Sequence, residues 1–121
     1  MKHLTFTVSI LLATCCFSQG IRTFNVNKIA FGSCLNQDKP AEILNKAAEE
    51  SPQFFIFLGD NIYGDTEDMN AMQAKYEKLG AQPAYKNLQA TTNILATWDD
   101  HDFGSDDDGK EYTKKEESKK L

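Results

Sequence analysis

Phe54-Phe55-Ile56-Phe57-Leu58-Gly59-Asp60-Asn61 is the stretch on which the fold turns. Five consecutive apolar residues have strand length, and an unbroken apolar run is what a parallel strand covered on both faces presents. The run empties into Gly59-Asp60-Asn61, a polar carboxyl-terminal loop. Upstream, Asn27 to Ser33 reads as a first strand with Ile29, Ala30 and Phe31 apolar, followed by the loop Gly32-Ser33-Cys34. A helix is expected next, with Asp38 as its cap, Pro40 in its first turn and Ile43, Leu44 and Ala47 facing a sheet. Pro52 separates it from the central strand.

Downstream, Thr66 is the expected cap of a helix in which Met69, Met72, Tyr76 and Leu79 recur at helical spacing, with Glu67 and Asp68 near its positive end and Gly80 as its stop. A short helix restarts at Pro83 with Ala84, Tyr85 and Leu88 inward. Asn93 to Trp98 then reads as a third strand, which runs into Asp99-Asp100-His101-Asp102. After the acidic loop Asp106-Asp107-Asp108-Gly109 comes a polar tail with Glu111/Lys115 and Glu116/Lys120 at i,i+4 spacing, expected as a solvated helix or frayed end with little to bury. Strand, helix, strand, helices, strand is the pattern of an α/β sheet. With one side of three strands uncovered, apolar surface such as Phe54 to Leu58 would be exposed.

At 121 residues the chain has room for one small domain. Residues 1–18 read as a signal peptide, with Lys2 and His3 before a charge-free run from Leu4 to Phe17 and small or polar residues after it. That run is shorter than the roughly 20 residues a membrane span requires, so an exported chain, periplasmic or extracellular, is expected, not an integral one. Leu12-Ala13-Thr14-Cys15 loosely imitates a lipidation site, which makes a lipid anchor the weaker alternative. Removal of residues 1–18 takes Cys15 and Cys16 with it and leaves Cys34 as the one thiol of residues 19–121, without a disulfide partner. Cys34 then calls for a buried position, an intermolecular bridge or a metal. The formal charge of −5 argues against a nucleic-acid-binding surface and favours cations.

All three predicted strands end in residues able to hold a metal: Cys34, then Asp60 and Tyr63, then Asp100 and His101. That edge is where sites form in α/β sheets. Thiolate, carboxylate, phenolate and imidazole together suit a trivalent or borderline transition metal, and a carboxylate can bridge two cations. Any single strand-end aspartate alone reads as a turn or cap; three coincident strand ends shift that balance.

Phe31-Gly32-Ser33-Cys34, Phe57-Leu58-Gly59-Asp60-Asn61-Ile62-Tyr63-Gly64-Asp65 and Ala96-Thr97-Trp98-Asp99-Asp100-His101-Asp102-Phe103-Gly104 together resemble the PhoD-like alkaline phosphatases and phosphodiesterases of the metallophosphoesterase superfamily. Gly59-Asp60-x-x-Tyr63 is also similar to the motif of purple acid phosphatases. The resemblance implies an α/β/β/α sandwich, of which residues 19–121 supply the amino-terminal portion, incomplete at the carboxyl end. Relatives continue into later strand-end motifs with further aspartate and histidine ligands, whereas no histidine follows His101. It implies hydrolysis of phosphate esters by a metal-activated hydroxide at a dinuclear site, Fe3+ with Ca2+ or another divalent metal. Cys34 and Tyr63 would bind iron, Asp60 would bridge, and Asp100 would hold the second metal, with Asp99 as the competing assignment. His101 would contact the phosphate and protonate the leaving group, its pKa raised by Asp100 and Asp102. Asp106 departs from the family, where asparagine is common. Two non-catalytic alternatives stand beside this: an exported cation-binding module built on the aspartates around residues 99–108, though without EF-hand spacing, and an exported interaction module with Cys34 buried.

Overall fold

A computed structural model describes residues 25–121. The expected signal peptide, with Cys15 and Cys16, lies outside the described residues. Along the chain run β1 (Ile29–Gly32), α1 (Glu42–Glu49), β2 (Phe54–Leu58), α2 (Met69–Ala81), α3 (Pro83–Thr91), β3 (Asn93–Thr97), α4 (Asp100–Phe103) and α5 (Lys115–Ser118). The three strands form one parallel sheet in the order β1-β2-β3, so the chain is of α/β class. The register pairs Ile29 with Phe54 and Asn93, and ends with Leu58 opposite Thr97. All three carboxyl ends thereby open on the same edge. Among the described residues no helix is long and apolar enough to cross a membrane.

Side chains alternate across a strand, so β2 divides its apolar run between two faces. Phe55 and Phe57 turn toward the helices, their rings 4.7 Å apart edge to face. They join Leu44 and Ala48 of α1 and Ala84 and Leu88 of α3 in the main core. A second, smaller cluster of Ile62, Met72 and Leu79 seats α2 beneath the β2 loop. The opposite face is open, against the expectation of a strand covered on both sides and in line with the expected exposure of apolar strand surface. Ile29, Phe31, Leu58 and Leu95 are 48 to 69% exposed there, because the crossovers of the described residues lay α1 and α3 on one face only.

Several expected boundaries shift for local reasons. Helix α1 starts at Glu42 with no side-chain cap, and Asp38 is drawn instead into a turn whose amide donates to Asn36 Oδ1 at 2.8 Å. The Asp38 carboxylate pairs with Lys78 at 2.6 Å. Ile43 is exposed, whereas Leu44 and Ala48 face inward with Ala47 partly buried against them. Asp68, not Thr66, caps α2 by accepting from the Asn70 and Ala71 amides at 2.9 and 3.4 Å. Thr66 Oγ1 accepts from the Asp68 amide one step earlier. Gly80 does not stop α2, which continues to Ala81 and breaks at the extended Gln82. The ring of Pro83 disfavours helical geometry in the residue before it, then opens α3 at its first position.

The tail also buries more than its polarity suggests. Tyr112 packs on Phe103 with ring centroids 5.9 Å apart, and Ser118 Oγ donates to the Phe103 carbonyl at 2.6 Å. Its charge pairing is Lys119 to Glu116 at i,i+3, with Lys114 reaching Glu67, in place of the expected i,i+4 pairs.

Two substitutions test this packing by chemical denaturation. Leu88→Ala, at a position with no exposed surface, is expected to cost about 2–5 kcal/mol through lost burial and a residual cavity. Gly80→Ala, inside α2 with nothing near its added methyl, is expected to stabilise by about 0.5–1 kcal/mol. A loss of stability for Gly80→Ala would place a helix end there after all.

Candidate metal centre

Each strand end delivers its polar residue through a short, bonded loop. Past β1, the Cys34 amide donates to the Gly59 carbonyl at 3.3 Å and the Leu35 amide to the Asp60 carbonyl at 2.8 Å. These bonds carry the β1 and β2 loops onward together beyond the ladder. The Cys34 thiol then donates to Asp60 Oδ2 at 3.4 Å and is exposed, not buried. Cys34, Asp60 and Asp65 all have left-handed backbones, with φ of 59, 50 and 47°. Such geometry costs about 1–3 kcal/mol for a non-glycine residue and persists where surrounding contacts hold it. Gly59, at φ 105°, has no such penalty; a Cβ there would lie 2.7 Å from that of Asp99, so glycine lets the β2 and β3 loops meet.

Where they meet, one oxygen each of Asp60 and Asp100 and a ring nitrogen of His101 lie within 4.8 Å of one another. Asp99 is not in that group. It caps α4, taking the Asp100 amide at 3.0 Å. Asp60 Oδ1 is buried and has no hydrogen-bond partner among the described residues, while Oδ2 faces Cys34. A carboxylate oxygen left in that state is suited to a cation. A second acidic group, Asp100 with Asp106 and Asp107, adjoins the first and shares Asp100 with it.

Tyr63 lies against His101, ring centroids 4.5 Å apart. Gln37 holds the Tyr63 backbone on both sides, its Oε1 accepting the amide at 2.8 Å and its Nε2 donating to the carbonyl at 3.3 Å. Burial, followed by the neighbouring Cys34 and the Asp60 and Asp65 charges, pushes the Tyr63 phenol above its ordinary range in the metal-free protein. His101 Nδ1 contacts Asp65 Oδ1 at 2.5 Å, and its Nε2 lies 3.5 Å from Asp106. The Asp65 carboxylate, more than any other group, holds the imidazole above its usual pKa, with Asp100 and Asp60 adding to it. The Asp107 amide on Asp100 Oδ2 holds the Asp100 carboxyl below its usual range.

Of the sequence-predicted residues, Asp60, Asp100 and His101 converge directly. Cys34 reaches them through Asp60, and Tyr63 through His101. Asp102 differs from its expected part as a neighbour raising the His101 pKa. It is turned inward, 2% exposed, with its carboxylate on backbone amides. Three residues of the site were not singled out in these parts from the sequence: Asp65 as the partner of His101, Asp102 as a buried acceptor, and Gln37. Asp65 stood within the motif itself. Gln37 contacts a residue 26 positions away, which no local pattern announces.

No family model matches this chain, and neither a curated protein nor a solved structure matches it.

In protein stripped of metal with a chelator, the His101 imidazole is expected to titrate above an ordinary histidine. Asp65→Asn removes the negative charge that favours the protonated ring, so the pKa is expected to fall. Proton–nitrogen NMR of the histidine ring reads this directly, and an unchanged value would show that Asp65 does not govern the ring.

Proposed function

We propose that this chain carries the strand-end centre of a metal-dependent phosphoric ester hydrolase of the PhoD-like metallophosphoesterase type. The observation that supports it most is the convergence of Asp60, Asp100 and His101 within 4.8 Å at the carboxyl edge of a parallel sheet, with Cys34 on Asp60. The wider architecture in this reading is the α/β/β/α sandwich, and the site is exported, in keeping with residues 1–18.

In this reading the donor set is part of a site for two unlike cations, with further ligands needed to complete both. Cys34, Tyr63 and Asp60 would hold Fe3+, whose charge matches thiolate, phenolate and carboxylate; Asp60 and Asp100 would hold Ca2+ or another divalent ion through oxygen. Bound cations lower the pKa of water and offset the charge of the phosphate ester. The chain's own groups do the remainder. Asp60 has one oxygen toward Cys34 and the other buried and unpartnered among the described residues, and in this reading it would hold both cations. A hollow of about 370 Å³ beside Cys34 and Tyr63 has Lys39 in its wall, a cationic group for an anionic ester. In the hydrolysis, the oxygen of water forms the new bond to phosphorus and the bond to the alcohol oxygen breaks. The proton for the departing alkoxide is held on His101 Nε2, since Nδ1 is engaged by Asp65.

A second reading, cation binding without turnover, is favoured by the Asp100, Asp106 and Asp107 group, which involves neither Cys34 nor Tyr63.

Metal analysis by plasma emission and hydrolysis of aryl phosphate mono- and diesters separate the two, on this chain and on any longer product of its reading frame. Iron with calcium and turnover, both lost in Cys34→Ala and Tyr63→Phe, is the expected result. Calcium retained in both variants without hydrolysis would favour the binding module. A folded protein holding neither metal would remove both readings.

A further inference from the structure

Asp102 is 2% exposed, and its carboxylate takes bonds from two loops. Oδ1 accepts the Asn61 amide at 2.8 Å and the Ile62 amide at 3.1 Å, both from the loop after β2. Oδ2 accepts the Asp99 amide at 2.9 Å, from the loop after β3, and Asn61 Nδ2 at 3.2 Å. The same Asn61 amide group donates to the Thr97 carbonyl at 2.7 Å, and the Tyr76 hydroxyl of α2 donates to the Asp102 carbonyl at 2.8 Å. Helix capping accounts only for the Asp99 bond. The Asn61 and Ile62 donors come from 41 and 40 residues away and add nothing to a four-residue helix.

These bonds begin where the ladder stops, at Leu58 opposite Thr97. Beyond that pair nothing in the sheet fixes how far Asp60 stands from Asp100 and His101. Asn61 follows Asp60 directly, and Asp100 and His101 lie between Asp99 and Asp102. With both oxygens occupied, Asp102 itself has no position left for a cation. We propose that Asp102 is a positioning residue: its carboxylate locks the Asp60 loop to the Asp100–His101 loop and so sets the spacing of the metal-holding groups. The role rests on the metal centre proposed above.

Asparagine has nearly the same shape but replaces one acceptor with a donor facing amide donors, so Asp102→Asn breaks one side of the lock with little change in volume. The probe is Mn2+, which suits the carboxylate oxygens of Asp60 and Asp100, titrated into the full chain and followed by electron paramagnetic resonance. In chelated protein, hydrogen exchange is expected to quicken at least about tenfold in the variant at the amides facing the new NH2 group, Asn61 with Ile62 or Asp99, while the Phe57 and Leu88 amides keep their rates. Mn2+ affinity is expected to fall about 10- to 100-fold, the range for residues that orient metal ligands. Wild-type exchange at all three loop amides, or release of these amides with unchanged affinity, would overturn the positioning role alone. Failure of the wild type to bind Mn2+ would overturn the metal centre and this role with it. Should Asp102→Asn not fold, Asn61→Ala removes the side-chain amide that ties Asp102 Oδ2 and the Thr97 carbonyl to the β2 loop: weaker Mn2+ binding supports the lock, and unchanged binding overturns it.

Discussion

The pairing of β2 between β1 and β3 is the constraint from which the rest follows. Because Phe55 and Phe57 must face α1 and α3, the register cannot slip by one residue without turning both rings to solvent. That register ends at Leu58 opposite Thr97, and so brings Gly59-Asp60 alongside Trp98-Asp99. The position of the site is in this sense an outcome of core packing on the far side of the sheet. The core cannot be shifted without moving Asp60, Asp100 and His101, and the loops cannot be repacked freely without straining the strand ends.

Local rules hold through the strands and helices and fail at the loops. Cys34, Asp60 and Asp65 take left-handed backbones that their side chains disfavour, within the residues that surround His101. Long-range bonds oppose that strain. The Leu35 amide on the Asp60 carbonyl, Gln37 on both sides of Tyr63, and Lys75 Nζ on the Tyr63 and Gly64 carbonyls at 2.9 and 2.6 Å each fix a segment that has no regular structure of its own. Conflict between local preference and the fold is expected where a structure serves a site instead of its own stability. The exposed apolar face formed by Phe31, Leu58 and Leu95 is a conflict of another kind, since nothing among the described residues uses it.

Period and punctuation made the strands, the helix pairs and the three strand ends legible in the sequence. An apolar run followed by Gly-Asp specifies both an element and its exit. Direction within a loop was not legible. Asp99, Asp100 and Asp102 are identical in type and nearly adjacent, yet one caps α4, one faces Asp60 and His101, and one is buried on amides. A single helical turn sends consecutive side chains in different directions, and only the approach of the β2 loop decides which one is enclosed. Asp68 displaced Thr66 as a cap for a similar reason: both residue types are good caps, and the start of the apolar stripe at Met69 did not fix which would be used.

Electrostatics explains why such a site fits cations better than an empty acidic cleft. Asp60, Asp65, Asp100 and Asp106 lie around one histidine, with Asp107 beside Asp100 and Asp106, in a chain of net charge −5. The amides of Asp107 and Asp100 answer part of the charge on Asp100 and Asp99, and His101 answers Asp65. Asp60 Oδ1 has no such answer: it is buried, without a donor among the described residues, beside a carboxylate and an imidazole already committed elsewhere. A lysine or arginine in that place would satisfy it, but would also close the cleft. A cation held there, as proposed, would satisfy the same oxygen while leaving positions for a further ligand.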